Sequence, residues 1–270
     1  MERPRRKLEI ESPANATFKR LASLLSSKGI KAEGELILSG RKLIAERLAG
    51  PGANLVRSIL LPKSAGGQHG FTWPAGLSRP HLDITEIELA DHLFEELDEL
   101  GTHGPLLLMR TPEIRTEDTS TAPKGFELVC PVGDPRNLGA IARSARAFGV
   151  RRLLLTADAA SPYLPKALKA SAGATLDLEI ARLPKLSECL NAWASSPFAK
   201  QVFVLDTEGE NLRQAQLPEN LYLVCGEEGP GIPELTKLPR LTIPTHGVES
   251  LNAAVATSIA LYEISSREKR

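Results

Sequence analysis

The chain has 270 residues, of which 42% are hydrophobic, so it is long enough for two domains with ordinary apolar cores. Its 33 basic and 33 acidic residues cancel, although residues 1–50 hold eleven Lys/Arg against six Asp/Glu. No apolar run approaches the ~20 residues that a bilayer span requires, and the basic N-terminal residues precede no apolar stretch, so we expect a cytoplasmic protein without a membrane span or secretory signal.

Residues 1–115 alternate between helical and extended patterns, which predicts a small α/β domain. The predicted helices are 15–28, 40–48 and 86–96, and the predicted strands are 35–38, 56–61 and 106–109. The polar, Thr/Ser/Pro-bearing residues 116–125 are the best candidate for a linker.

Residues 126–270 alternate more regularly, and their apolar runs are typical of parallel strands covered on both faces. The predicted strands are 126–132, 152–156, 176–180, 202–206, 221–225 and 241–243, and the predicted helices are 137–148, 166–171, 185–194 and 249–265. The fold class is therefore α/β, with a parallel sheet in the C-terminal domain.

The cysteines and histidines show no metal-ligand spacing. Cys130, Cys189 and Cys225 lie far apart, and the five histidines are equally scattered. The sequence thus predicts neither structural zinc nor a disulfide framework, and no metal cofactor.

Three polar or glycine-rich loops follow strands of the C-terminal domain, where open parallel sheets bind ligands. The loop from Gly133 opens a helix, as anion sites do, but no Lys-Ser/Thr follows Gly139 and the glycines lie six apart, which excludes a Walker A loop and a dinucleotide fingerprint. The loop 226–233 combines three glycines with two adjacent carboxylates, which suit a cation, a hydroxyl donor or a plain solvated turn. The loop 243–252 is either a helix-capping turn or a ligand site.

Together the three loops resemble the motifs of the SpoU/TrmH family of RNA ribose 2′-O-methyltransferases, within the SPOUT superfamily. Residues 165–174 also resemble a family segment, and Thr245 stands where the family usually has methionine. The matching positions are Asn137, Gly139 and Arg143; Gly226, Glu228, Gly229 and Gly231; and Ile243, Pro244, Ser250, Leu251 and Asn252.

This resemblance implies a C-terminal trefoil-knot domain that binds S-adenosylmethionine and a homodimer. The implied cofactor-binding residues are Leu205, Gly226, Ile243 and Leu251, with Leu205 on the adenine side. The implied active-site residues are Asn137, Arg143, Glu228, Ser250 and Asn252.

The chemistry needs a ribose 2′-hydroxyl in line with the methyl carbon, and removal of its proton. A guanidinium stays protonated near neutral pH, so Arg143 suits clamping the adjacent phosphate and stabilising the emerging alkoxide better than acting as a base. Asn137, Ser250 and Asn252 would orient the loop and the hydroxyl, and Glu228 would orient Arg143 or its neighbours.

The N-terminal domain resembles the family's substrate-binding domain, which is similar to ribosomal protein L30e. Taken alone, the basic excess is more often a solvated face, but with this resemblance it indicates an RNA surface, with Lys19, Arg20, Arg41 and Lys42 as candidate contacts. The additional domain favours ribosomal RNA over transfer RNA as the substrate. The alternatives are a transfer-RNA ribose methyltransferase, a non-catalytic RNA-binding protein of the same fold, a SPOUT enzyme that methylates a base nitrogen, and an unrelated Rossmann-type enzyme.

Overall fold

The computed structural model describes residues 7–50, 52–66, 84–226 and 237–267. These residues divide into two compact units. The first contains the described residues through Pro112 together with Tyr163–Ala172, and the second contains Glu113–Pro162 and the described residues from Gly173 onward. Among the described residues, no helix is long and apolar enough to cross a membrane.

The first part of the chain forms a mixed five-stranded sheet among its described residues, in the order β1-β4-β3-β5-β2. Strands β1, β4 and β3 run parallel, and β5 pairs antiparallel with both β3 and β2. The elements are β1 Lys7–Ile10, α1 Ala16–Ser23, α2 Ser27–Glu33, β2 Glu35–Ser39, α3 Arg41–Ala49, β3 Val56–Pro62, β4 Thr85–Leu89, α4 Asp91–Leu97 and β5 Leu106–Arg110.

Two predictions for this part were wrong in detail. The single helix predicted over 15–28 is two helices, because the Ser26 hydroxyl accepts from the Gly29 amide at 3.1 Å and starts a second helix. The helix predicted over 86–96 begins only at Asp91, since Ile87 and Leu89 alternate with glutamates and form strand β4. Strand β1 was not predicted, because only Ile10 of its four residues is buried.

The second part forms a seven-stranded sheet whose pairs are all parallel, in the order β12-β10-β11-β7-β8-β9-β6 over the described residues. This confirms the predicted α/β fold with a parallel sheet. The elements are β6 Arg115–Thr116, β7 Phe126–Cys130, α5 Pro135–Ala147, β8 Arg152–Leu155, α6 Pro165–Ala170, β9 Glu179–Arg182, α7 Leu186–Ala194, β10 Val202–Asn211, β11 Leu221–Val224, β12 Arg240–Thr242 and α8 Ala253–Ser265.

The division of the chain differs from the predicted domain bounds in two places. Within the predicted linker 116–125, Thr116 belongs to β6, which pairs with β9 in the seven-stranded sheet. Helix α6 groups with the first unit, where it contacts β2 and where Lys166 pairs with Glu99. The polar composition of residues 116–125 predicted a linker, although its first residue, Thr116, belongs to the sheet.

Alternate side chains of the parallel strands enter two cores, one on each face of the sheet. On one face, Leu128 and Cys130 of β7 pack in a cluster that includes buried residues of α5 and α8. On the other face, Val129 packs in a cluster with Trp193 and other residues of α7. This two-sided burial explains why the strands read as continuous apolar runs.

Charged groups are buried at the amino-terminal ends of the strands, opposite the three loops. The carboxylate of Glu127, whose side chain is 0% exposed, accepts from the Arg152 Nε at 2.7 Å and from its Nη2 at 3.1 Å. Arg152 also pairs with Glu117, and Arg151 donates to Glu127 at 2.5 Å. Hydrogen bonding to Glu127 raises the pKa of Arg152. Because each charge has a partner, this network joins the segment after β6 to β7 and β8.

Candidate functional site

The three candidate loops all leave the same edge of the seven-stranded sheet, where its parallel strands end. We call this the carboxyl edge. The first loop follows β7, the second follows β11, and the third follows β12. Strands β12, β10, β11 and β7 are consecutive neighbours, so segments far apart in sequence begin side by side.

The first loop ends in a capped helix. Asp134 accepts hydrogen bonds from the Arg136 amide at 2.7 Å and the Asn137 amide at 2.9 Å, and Pro135 occupies the first turn of α5. Asp134 therefore fixes the place of Asn137, which lies half-buried in the first turn.

The third loop ends in another capped helix, and here the prediction needs a correction. Helix α8 begins at Ala253, not at Glu249, because the Asn252 Oδ1 accepts from the Ala254 amide at 2.9 Å and the Val255 amide at 3.3 Å. Glu249 and Ser250 are consequently exposed loop residues before the cap. The Asn252 Nδ2 donates to the Asn137 Oδ1 at 3.4 Å. The structure thus brings together Asn137 of the first loop and Asn252 of the third.

Helices α5 and α8 remain in contact beyond this pair. The hydroxyls of Ser144 and Ser258 lie 2.7 Å apart, and the Ser258 hydroxyl also donates to the Ala254 carbonyl at 2.7 Å. The rings of Phe148 and Tyr262 meet edge to face with centroids 5.8 Å apart. We call these three side-chain pairs the α5–α8 interface: Asn137 with Asn252, Ser144 with Ser258, and Phe148 with Tyr262. It fixes the register of the two helices.

Arg143 and Ser250 lie in the exposed part of the site. Arg143 directly precedes Ser144 on α5, and its side chain is exposed, with no hydrogen bond or ion pair to the described residues. Ser250 is exposed two residues before Asn252. Both side chains are therefore accessible to solvent.

The predicted cofactor-binding residues lie at adjacent strand ends. Leu205 is buried in β10, Gly226 follows β11, and Ile243 follows β12 as a half-buried residue. A Cβ on Gly226 would lie 3.3 Å from the Leu205 carbonyl oxygen, so this place has little room for a side chain. Leu251 is half-buried beside the Asn252 cap.

Other parts of the predicted site are described incompletely or differ from expectation. Glu228, predicted to orient Arg143, lies outside the described residues, as do Gly229 and Gly231. Thr245, where the family usually has methionine, donates from its hydroxyl to the Val248 carbonyl at 3.1 Å and closes a turn in the third loop.

The four predicted RNA contacts divide into accessible and engaged side chains. Lys19 and Arg41 are exposed, and Lys42 is 91% exposed with Glu46 3.8 Å away on the next turn. Arg20 instead forms an ion pair with Glu35 of β2. Its guanidinium therefore has a structural partner within the first unit.

Sequence reasoning missed Asp134, Ser144 and Ser258. The Asp134-Pro135 pair was available as a helix-start signal. Ser144 follows Asn137 by seven residues, or two helical turns, which places both on one helix face. Nothing in the sequence identified Ser258 as the partner of Ser144. Over the described part of the chain, no group of three or more His, Cys, Asp or Glu could hold a metal ion.

Comparison with known proteins identifies the family. Residues 128–262 match the model of the SpoU rRNA Methylase family, which is half of the chain. This chain belongs to the SpoU family. The match covers β7 through most of α8 and includes the whole α5–α8 interface.

Known members and relatives agree with this assignment. A TrmH-family protein from Porphyromonas gingivalis is 30% identical, covering 95% of this chain and all of that chain with a TM-score of 0.68. The SpoU methyltransferase AviRb from Streptomyces viridochromogenes, solved with AdoMet, has the same fold: 24% identity, a TM-score of 0.73, and coverage of 94% of this chain and 98% of that chain. This fold agrees with the predicted trefoil-knot domain, whereas the L30e likeness of the first unit remains a prediction.

A curated relative is longer than this SpoU chain. Ribosomal RNA small subunit methyltransferase G 2 of Syntrophobacter fumaroxidans is 34% identical over 260 residues, which are 94% of this chain but 48% of that protein. The chain spans about half the length of that relative.

Two substitutions at Asn252 should separate its capping role from its contact with Asn137. In Asn252→Asp the carboxylate still accepts from the Ala254 and Val255 amides, so we expect the free energy of unfolding to stay within about 0.5 kcal/mol of wild type. Asn252→Ala removes the cap and should cost about 1 kcal/mol. Urea denaturation followed by circular dichroism measures both. Equal losses in the two variants would show that the cap contributes little.

Proposed function

We propose that the protein transfers a methyl group from S-adenosylmethionine to a ribose 2′-hydroxyl of RNA, with ribosomal RNA as the favoured substrate. The observation that supports this best is the 3.4 Å contact between Asn252 and Asn137, which joins two family motifs at the carboxyl edge. Membership of the SpoU family supports the reaction class. Cys130, Cys189 and Cys225 are buried and form no disulfide within the described residues, which suits a reducing cytoplasm.

The residues at the strand ends fit the proposed cofactor. Ile243 and Leu251 are half-buried and offer apolar surface for an adenine ring, Leu205 would line the adenine side with the 5% of its surface that is exposed, and Gly226 allows backbone to approach the ligand closely. S-adenosylmethionine would supply the electrophilic methyl group at this edge. The related protein AviRb was solved with this cofactor, which supports the choice.

The polar side chains would position and stabilise the RNA. Asn137 and Asn252 hold each other in place, so their amides are preorganised to orient the ribose hydroxyl. The exposed guanidinium of Arg143 would clamp the adjacent phosphate and stabilise negative charge on the 2′-oxygen as this oxygen takes the methyl group, S-adenosylhomocysteine is released and the hydroxyl proton passes to water. Ser250 would contribute a further hydrogen bond from the third loop.

The first unit would hold the rest of the RNA. Lys19, Arg41 and Lys42 are exposed cations, whereas the partner of Arg20 is Glu35. Exposed lysines and arginines bind phosphates without reading sequence. We therefore assign affinity to the three accessible cations and assign Arg20 a mainly structural role.

The proposed enzyme is a homodimer that buries a face of α8. Val255, Ile259 and Tyr262 recur at helical spacing and are 48%, 41% and 59% exposed. Three large apolar side chains on one face of a helix are expected to be covered. A second copy of this face provides matching apolar surface through two-fold symmetry.

Methyl transfer tests the reaction. Purified protein with radiolabelled S-adenosylmethionine and unmodified ribosomal RNA should place label on one ribose 2′-oxygen, mapped by methylation-sensitive cleavage. Arg143→Ala should lower kcat about 10²- to 10³-fold, because it removes charge stabilisation of the alkoxide, with cofactor affinity unchanged by calorimetry. Arg146→Ala, on the same helix but paired with Asp177 at 2.7 Å, serves as the control.

The outcomes distinguish the alternatives. Label on transfer RNA would correct the substrate. Cofactor binding without label on either RNA would favour a non-catalytic RNA-binding protein or an assembled particle as substrate. Absence of cofactor binding would refute the proposal, and wild-type kcat in Arg143→Ala would refute the role of that residue.

RNA affinity tests the basic surface. The triple variant Lys19→Ala, Arg41→Ala, Lys42→Ala should weaken RNA binding, because phosphate contacts are lost. The slope of the logarithm of the RNA affinity against the logarithm of the salt concentration should become shallower by about two to three. Fluorescence anisotropy at several salt concentrations measures both. Lys200→Ala, an exposed lysine of the second unit, is a control for charge. An unchanged salt slope would place the RNA elsewhere.

The mass in solution tests the dimer. Ile259→Glu should convert a dimer to a monomer in light scattering after size exclusion, because it places charge in an apolar interface. Leu8→Glu adds the same charge at another exposed apolar residue and should remain dimeric. A monomeric wild-type protein would contradict the homodimer.

A further inference from the structure

The loop after β8, residues 156–160, supports the first motif loop from behind. Its Thr156 amide donates to the Cys130 carbonyl at 3.2 Å, and its Ala160 amide donates to the Val132 carbonyl at 3.0 Å. Val132 directly precedes Gly133, Asp134 and the start of α5. The position of residue 160 is therefore linked to the backbone that leads to Asn137.

One arginine of β9 holds this loop. The Arg182 Nη1 donates to the Thr156 carbonyl at 3.0 Å and the Ala159 carbonyl at 3.3 Å, and its Nη2 donates to the Ala160 carbonyl at 3.3 Å. The side chain is partly buried at the carboxyl edge. A planar guanidinium can reach three carbonyls in one fixed geometry, which a lysine ammonium cannot reproduce.

Other contacts hold a different part of the same loop. The Ala157 amide donates to the Pro184 carbonyl at 3.2 Å, and Asp158 accepts from the Leu186 amide at 2.9 Å. Both bonds secure the middle of the loop to the segment after β9. Arg182 donates the side-chain hydrogen bonds to the Ala159 and Ala160 carbonyls. It therefore controls the end of the loop that meets Val132.

We propose that Arg182 is a positioning residue for the first motif loop and, through Asp134, for Asn137. Its catalytic consequence rests on the proposed function. Arg182 orders the Ala159 and Ala160 carbonyls, the ordered Ala160 amide holds Val132, and Val132 sets the path into the Asp134 cap. None of the predicted cofactor-binding residues takes part in this series of contacts.

Two variants and a matched control test this role. Arg182→Met removes the three hydrogen bonds but keeps the apolar stem, and Arg182→Lys keeps the charge with fewer bonds. Arg151→Met serves as the control, because Arg151 belongs to the charge network at the amino-terminal ends of the strands. Amide exchange of Ala160 and of residues 133, 134 and 136–138 is measured on all four proteins, together with kcat and the Kd for S-adenosylmethionine.

Arg182→Met should exchange the Ala160 amide at least about tenfold faster than wild type, since local opening becomes easier. Its kcat, per active site counted by cofactor binding, should fall about 10- to 100-fold, while the Kd for the cofactor stays within about threefold. Arg182→Lys should recover part of both losses. Arg151→Met should lower the unfolding midpoint with wild-type kcat and wild-type exchange at Ala160.

Unchanged exchange at Ala160 in Arg182→Met would overturn the positioning role. Faster exchange with wild-type kcat would also overturn it, because Arg182 would then order the loop without affecting the site. If the wild-type protein transfers no methyl group, the proposed function fails, and the exchange measurement still decides whether Arg182 positions the loop.

Discussion

The site depends on the packing of α5 against α8. These helices begin at the same edge of the sheet and run in the same direction, so their N-termini lie together only in one register. Asn137 and Asn252 are 115 residues apart in sequence, and no local interaction could bring them together. The Ser144–Ser258 contact, at 2.7 Å, sets the register two turns further along. A side-chain hydrogen bond forms only within a narrow range of distance and angle, so the two pairs together favour one alignment of the helices.

The buried ion pairs of the seven-stranded sheet differ from the polar contact between its motif loops. Glu127 and Arg152, near the amino-terminal ends of β7 and β8, form a network with Glu117, which follows β6, and the members of this network satisfy one another. At the carboxyl edge, the two motif loops meet through the neutral amides of Asn137 and Asn252, and Arg143 on α5 is exposed. A strong carboxylate partner would hold a guanidinium in the ground state, whereas an accessible guanidinium can stabilise charge that develops on a bound RNA.

The features of the fold that could be predicted from the sequence are those set by residues close together in the chain. The parallel strands were predicted because their burial on both faces leaves continuous apolar runs, as in Leu128 to Cys130. Strand β4 was wrongly joined to the following helix because Leu89 precedes Leu93 by four residues, a helical spacing, whereas Ile87 and Leu89 pair with β1 and β3.

The same limit applies to the candidate site. Asn137, Arg143 and Asn252 were named from their motifs, and the structure adds that Asn137 and Asn252 meet. Ser258 and Arg182 carry no local signal. A serine inside a helix and an arginine at a strand end are ordinary, and their importance comes from partners on distant segments.

Helix α8 connects the site to the proposed second copy. Its apolar residues surround the whole helix: Ala254, Ala260, Leu261 and Ile264 enter the core, Tyr262 contacts Phe148, and Val255 and Ile259 are exposed. A helix that is apolar on all sides is normally buried on all sides. Val255 also donates its amide to Asn252, so the residue at one end of the exposed face belongs to the cap that holds the site together. Covering this face would therefore restrain fraying at the N-terminus of α8, where Asn252 meets Asn137. Dimerisation through α8 would then also order the site, because Asn252 lies at the N-terminus of the same helix.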